Sequence, residues 1–155
     1  MRAYKGFRKD LTCKGYQYQE GVVNRTSQAN CKRNGFHCAE NPLDCLWHYN
    51  DWKDSVYYMV EAGGDMDEDD YDSKISCTEL RLVKKLSLLE LLVEGAGYMI
   101  RHSERKPSRI VKLESGKAFN GYVVVLGKIQ RQGRKGAILI LGKITEDRGS
   151  NGYRN

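Results

Sequence analysis

The chain lacks a hydrophobic run long enough to cross a membrane. Its longest apolar stretches, around 88–93 and 137–141, are far shorter than the roughly 20 residues that a transmembrane helix needs. No apolar segment follows the first methionine, as one does in a secretory signal peptide. The five cysteines are an odd number. These features predict a soluble protein in a reducing compartment, without disulfides.

The usual catalytic motifs are also missing. There is no Ser/His/Asp arrangement, no glycine-rich phosphate loop and no His-Glu-x-x-His motif. His37 and Cys38 are sequence neighbours, and neighbouring side chains on a strand point to opposite faces, so a local Cys–His dyad is not expected. The sequence therefore predicts a protein that is not an enzyme and acts by binding.

The charge is unevenly distributed along the chain. Residues 1–100 carry 13 basic and 16 acidic side chains, a net charge of −3, whereas residues 101–155 carry 13 basic and 4 acidic ones, a net charge of +9. Such polarity is typical of a protein whose partner is itself charged. The basic part predicts a partner-binding surface at Arg131, Arg134 and Lys135.

A second candidate surface is a run of six acids within the eight residues 65–72. Repulsion between like charges predicts a solvated loop here, open to a basic protein partner. Its members are Asp65, Asp67, Glu68, Asp69, Asp70 and Asp72. A calcium loop of the EF-hand type is not favoured, because its sixth position would be Asp70 rather than glycine and its twelfth Ser76 rather than glutamate.

Five potential zinc ligands lie within eighteen residues of one another. They are Cys31, His37, Cys38, Cys45 and His48. Zinc takes four such ligands in tetrahedral geometry, and Cys45 and His48 share a face if they lie on a helix. We predict a structural zinc ion held by four of these five residues, although no pair of Cys-x-x-Cys knuckles is present. The alternative is a set of reduced, half-buried thiols beside ordinary histidines.

The pattern of apolar residues predicts an α+β fold. Short antiparallel strands are expected near 2–8, 15–18, 36–38, 55–61 and 75–83. Two or three helices are expected, at 26–31, at 42–48 and at 87–99, the last with Ser87 and Glu90 as a capping box.

The C-terminal part predicts a basic β-hairpin followed by a frayed tail. Its strands would span 122–130 and 137–144, joined by a basic turn at 131–136. We expect one domain over residues 1–155, with the candidate metal site in 1–100 and the hairpin and tail in 101–155.

Three groups of residues follow a recognisable pattern. They are YKGF at 4–7 with LTCKG at 11–15 and Tyr18, GFH-x2-ENPLD at 35–44 with Tyr49, and VEA at 60–62 with the acidic run, SKI at 73–75 and LSL at 86–88. Together they resemble a family of small uncharacterised proteins encoded by phages and prophages. The resemblance implies a protein that evades host defence in the cytoplasm of the bacterial host, as anti-CRISPR proteins do. Such an inhibitor would bind a Cas effector such as Cas9 and block DNA loading, with the acidic run competing with phosphates for a basic groove.

Two alternatives remain open. The segments 4–6 and 35–37 loosely resemble the nicotinamide-pocket strands of ADP-ribosyltransferases, with Lys5 where an Arg or His is usual and Glu79 or another residue as the late glutamate. The third possibility is direct nucleic-acid binding, in which the basic hairpin follows a phosphate backbone and Tyr122 stacks on a base.

Overall fold

A computed structural model describes residues 1–49, 51, 53–70, 72–112, 123–126 and 138–141. The chain divides into two units, Met1–Arg109 and Ile110–Asn155. The described helices are α1 (Asp44–His48) and α2 (Leu88–Arg101). The strands of the first unit are β1 (Arg2–Arg8), β2 (Thr12–Cys13), β3 (Tyr16–Gln17), β4 (Val23–Arg25), β5 (Phe36–Ala39), β6 (Ser55–Glu68) and β7 (Lys74–Leu86). Those of the second unit are β8 (Val111–Lys112), β9 (Val123–Leu126) and β10 (Ile138–Leu141).

Four strands of the first unit close into a ring. β1 pairs with β6, β6 with β7, and β7 with β5, all antiparallel. Among the described residues, β5 returns to β1 through one pair of positions, Tyr4 and Ala39. β4 pairs with residues 79–81 of β7, beyond the stretch 74–77 that pairs with β5, while β2 and β3 form a separate small hairpin. The ring is therefore well paired everywhere except at the seam between β1 and β5.

The inside of the ring is an aromatic and aliphatic core. Alternation along β1 places Ala3 and Phe7 inside, and both are fully buried. The ring of Phe7 meets the rings of Tyr18 and Tyr58 edge-on, with centroid distances of 4.9 and 5.7 Å. Such edge-to-face pairs add about 0.5–1.5 kcal/mol each to the free energy of area burial. The β2–β3 hairpin contributes to this core, because Tyr16 packs against it.

The helix α2 begins as the sequence predicts. The Ser87 side chain accepts a hydrogen bond from the backbone N–H of Glu90, and the Glu90 side chain bonds back to the Ser87 backbone, so the capping box is confirmed. Leu91 and Leu92 are buried on the inner face of α2. None of the described helices is both long and apolar enough to cross a membrane.

The predicted α+β fold class is wrong, because antiparallel sheet dominates the first unit. β6 and β7 are 14 and 13 residues long rather than short. The third helix, predicted at 26–31, is not formed. The reason is that polar side chains there bond locally to the backbone: the Asn30 Oδ1 accepts from the Lys32 N–H at 3.0 Å.

The acidic run is not a simple loop. Its first four residues continue β6, where Asp67 lies opposite Ser76 and Glu68 opposite Ile75. Backbone pairing with β7 and alternation of neighbouring side chains between two faces outweigh the like-charge repulsion that predicted a loop. The run therefore lies at the end of the β6–β7 pair, where residues 74–77 of β7 also pair with β5. Residues 65–70 and 72–78 together are called the acidic ribbon.

The prediction of a C-terminal basic β-hairpin is also wrong. β9 and β10 pair in parallel, with Val123 opposite Ile138, whereas a hairpin requires antiparallel strands. The short strand β8 also pairs with β9 in parallel. The predicted basic turn at 131–136 and the predicted frayed tail from 145 lie outside the described residues.

The packing of α2 yields a test with two matched glycines. A Cβ added at Gly95 would collide with the side chain of Leu43, which is fully buried. Overpacking costs about 1–3 kcal/mol, and alanine regains at most about 1 kcal/mol of helix propensity. We expect Gly95→Ala to lower the free energy of unfolding by about 1–2 kcal/mol, measured by urea denaturation.

Gly97→Ala is the control. A Cβ there would meet the guanidinium end of Arg101, a flexible side chain that can move away. The free energy of unfolding should rise by up to about 1 kcal/mol. Equal stability of the two variants would contradict the packing of α2 against Leu43.

Candidate functional site

A cavity of about 300 Å³ opens at the weakly paired seam of the ring. Its two facing walls are residues 4–6 of β1 and residues 37–39 of β5. Other walls come from β2, the turn after it, α1 and β7. The volume lies at the lower end of the range of small-molecule sites, about 300–1,000 Å³.

Gly6 and Tyr49 shape one side of the cavity. A Cβ at position 6 would lie 2.6 Å from Cδ2 of Tyr49, so only glycine lets the Tyr49 ring approach β1 this closely. The turn that brings Tyr49 here starts at Asn41, whose Oδ1 accepts a hydrogen bond from the Leu43 N–H at 3.1 Å. α1 follows, and Tyr49 is its C-terminal cap residue.

A chain of hydrogen bonds runs across the cavity. The Lys5 Nζ donates to the backbone carbonyl of His37 at 2.7 Å and to Cys13 Sγ at 3.5 Å. The Tyr49 hydroxyl donates to the same sulfur at 2.9 Å. Lys5 therefore links β1, the β2–β3 hairpin and β5, and its side chain is only 4% exposed.

Burial favours the neutral form of the Cys45 thiol, and three lysines give the cavity a positive potential. Burial raises the pKa of Cys45 to about 12. The pKa of His37 is lowered, first by burial and then by the positive charges of Lys14 and Lys5. The one acid among the described lining residues is Asp44, whose Oδ2 already accepts a hydrogen bond from the Ser73 hydroxyl at 2.6 Å.

All five predicted zinc ligands line this one cavity. They are Cys31, His37, Cys38, Cys45 and His48. Even so, the part of the chain that the structure describes holds no group of three His, Cys, Asp or Glu side chains placed to bind one metal ion. One reason is that Cys38 belongs to the core inside the ring, where its thiol forms a hydrogen bond with the thiol of Cys77 and no disulfide. The zinc site stays a prediction.

The predicted acidic partner surface divides into two groups. Three carboxylates form contacts within the protein. Asp67 accepts a hydrogen bond from the Cys31 N–H at 2.7 Å, Asp69 pairs with the Lys74 ammonium, and Asp72 accepts a hydrogen bond from the Lys74 backbone N–H. The other three are exposed, and none forms an ion pair with a described residue: Asp65, Glu68 and Asp70. The basic candidates Arg131, Arg134 and Lys135 lie outside the described residues, so direct nucleic-acid binding stays a prediction.

Cys13 was not among the candidate residues predicted from the sequence, and Lys5 had a role there only by resemblance. Cys13 lies outside the segment 31–48, and the turn after β1, in which the Leu11 N–H bonds to the Arg8 carbonyl, folds the β2–β3 hairpin back so that Cys13 meets Lys5. A signal was present, however. Lys5 alternates with Ala3 and Phe7 on the inner face of a predicted strand, an unusual place for a charge.

Comparison with known proteins assigns most of the described chain to a family. Residues 1–94 match the model of a domain of unknown function, DUF7666. Every residue that lines the cavity, from Tyr4 to Lys74, falls within this match. No curated protein and no solved structure matches the chain.

The histidines of the cavity predict a pH dependence of stability. The pKa of His37 and that of His48 are both lowered in the folded state, mainly by burial, from 6.5. Near pH 6 the unfolded chain therefore binds more protons than the folded one. We expect the free energy of unfolding to fall as pH drops from about 7.5 to about 5.5, measured by urea denaturation at each pH.

Replacing His37 should flatten this dependence. His37→Gln removes the half-buried imidazole of the cavity, whereas His102→Gln removes one with a 40% exposed side chain. The slope of unfolding free energy against pH should decrease only in the first variant. An unchanged slope in His37→Gln would mean that its imidazole does not resist protonation in the folded state.

Proposed function

The chain belongs to the DUF7666 family, and we propose that it binds a nucleotide of the nicotinamide dinucleotide class in the cavity between β1 and β5. One observation carries this proposal. The segments 4–6 and 35–37, which resemble the nicotinamide-pocket strands of ADP-ribosyltransferases, contribute facing walls of one cavity through Lys5 and His37.

The chemistry of the lining supports the same class of ligand. The Tyr49 ring offers a flat face beside the Gly6 backbone, suited to a planar heterocycle. Three lysines, Lys5, Lys14 and Lys74, line the cavity and suit phosphate groups. Aromatic and cationic walls together favour a ligand that has both a ring and a negative charge.

Binding without group transfer is the proposed outcome. Glu79, the candidate late glutamate, bonds to the Arg25 side chain at 3.1 Å and does not line the cavity. Among the described lining residues the one carboxylate, on Asp44, is occupied by Ser73. In the phage setting that the sequence resemblance implies, a protein that retains such a nucleotide would withhold it from host-defence enzymes.

Calorimetric titration with NAD tests the proposal. Tyr49→Leu removes the flat ring and its hydrogen bond to Cys13, and NAD affinity should fall about 10-fold or more, since stacking on an aromatic ring is worth about 1–3 kcal/mol. The NAD recovered from the wild type should be chemically intact.

Trp47→Leu is the matched control. Trp47 lies on α1, is 48% exposed and does not line the cavity, so its loss should leave NAD affinity unchanged. Circular dichroism and thermal melting establish that both variants fold. Absence of saturable NAD binding by the wild type would refute the proposal, and steady hydrolysis of NAD would replace binding with catalysis.

A second candidate function is inhibition of a Cas effector by protein binding, as in anti-CRISPR proteins. The observation in its favour is the acidic ribbon, whose end presents the exposed carboxylates of Asp65, Glu68 and Asp70. Asp65 and Glu68 lie on β6, which is hydrogen-bonded to β7, so these two charges are held on paired backbone, whereas Asp70 follows the end of β6. Carboxylates presented together can compete with phosphates for a basic groove.

A triple variant separates this candidate from the first. Asp65→Asn, Glu68→Gln and Asp70→Asn together remove three exposed charges and leave the carboxylates that hold Cys31 and Lys74 in place. DNA loading by a purified Cas effector should be inhibited by the wild type and at least 10-fold less by the triple variant. The control is Asp51→Asn with Asp54→Asn, which removes acids outside the ribbon. Equal inhibition by the triple variant would exclude the acidic ribbon from the interface.

A further inference from the structure

Lys5 carries a buried positive charge that the protein itself does not neutralise. Its side chain lies on the inner face of β1, between Ala3 and Phe7, and is 4% exposed. Buried ammonium groups are normally paired with a carboxylate, because desolvating a lone charge is costly. Among the described residues, no Asp or Glu forms an ion pair with Lys5.

The groups that surround the ammonium hold only partial negative charges. They are the His37 carbonyl at 2.7 Å, the Cys13 sulfur at 3.5 Å and two aromatic faces. The Nζ lies 5.1 Å from the ring centroid of Phe7 and 5.4 Å from that of Tyr18. An ammonium group has three N–H donors, so one remains beyond the two hydrogen bonds described.

Of the neighbouring charges, Lys14 adds to the positive potential, whereas Asp44 is an acid that lines the same cavity and accepts a hydrogen bond from Ser73. Lys14 lines the same cavity and is exposed. Lys74 also lines it, but its Nζ is paired with Asp69 at 2.8 Å.

We propose that Lys5 anchors a phosphate group of the ligand at the floor of the cavity, with Lys14 as a second contact at its rim. The proposal deepens the proposed function and rests on it for the identity of the nucleotide, whereas the anion site itself rests on the geometry of Lys5. It makes Lys5 a specificity residue: phosphate-bearing ligands bind, and the same ligands without phosphate do not.

Inorganic pyrophosphate, nicotinamide mononucleotide and NAD are the probes, titrated by calorimetry against the full chain. Lys5→Met keeps an unbranched side chain that is one heavy atom shorter, and removes the charge. A charge-assisted hydrogen bond is lost, so affinity for each probe should fall about 10- to 100-fold. Lys85→Gln removes an equal charge from an exposed position of β7 that does not line the cavity, and affinity should change less than about 2-fold.

A second measurement avoids dependence on the folding of the Lys5→Met variant. The wild type should bind ADP-ribose and not adenosine, which has the same base and a ribose but no phosphate. Lys14→Gln, at an exposed site of the same cavity, should weaken ADP-ribose binding about 3- to 10-fold.

The outcomes separate the two proposals. Pyrophosphate binding that is lost in Lys5→Met, together with no saturable NAD binding, would keep the anion site and overturn the nucleotide function. Equal NAD affinity of wild type and Lys5→Met, or equal binding of ADP-ribose and adenosine, would overturn the anchor and keep the nucleotide function. Failure of the wild type to bind any of the probes would overturn both.

Discussion

The architecture of the first unit depends on how β1 and β5 close the ring. Within the described residues one backbone pair, Tyr4 with Ala39, joins them, whereas β1 and β6 pair along seven positions. Beyond that pair the strands no longer pair, and the gap is bridged by a side chain: the Lys5 ammonium bonds to the His37 carbonyl of β5. A side chain thus does what ladder hydrogen bonds do elsewhere in the sheet. The cavity opens where backbone pairing between β1 and β5 stops and a single lysine side chain spans the gap.

The parts of the fold that local signals determine were predictable. α2 follows from its capping box at Ser87 and Glu90 and from an apolar stripe, both of which lie within one segment of sequence. The positions of β6 and β7 follow from their β-branched and aromatic residues. The extension of β6 through Asp67 was not predictable from composition, because the backbone pairing and the contact of its carboxylate with the Cys31 N–H outweigh charge repulsion. The parallel pairing of β9 with β10 was missed for a similar reason: hairpin signals report sequence spacing, not which strands finally pair.

The candidate site also combines features that were predictable from the sequence with features that were not. The segment 31–48 could be identified from sequence because its cysteines and histidines are close along the chain, and all five line the cavity. The role of Gly6 and the contact between Lys5 and Cys13 could not, because both depend on folding. Gly6 matters only because Tyr49 returns to cover it, 43 positions later in the chain. The residue types indicated which chemical groups are present, but tertiary packing determined which of these side chains meet.

Local charge, rather than the net charge of residues 1–100, governs what the first unit can bind. Three exposed carboxylates lie on the acidic ribbon, and three lysines line the cavity. Lys74 connects the two regions, because it lines the cavity while its ammonium pairs with Asp69. That ion pair neutralises the cavity lysine nearest to the ribbon and leaves Lys5, the most buried one, without a carboxylate. Since an uncompensated ammonium is stabilised most by an anion that arrives from outside, the burial of Lys5 without a carboxylate is the constraint behind the proposed phosphate anchor.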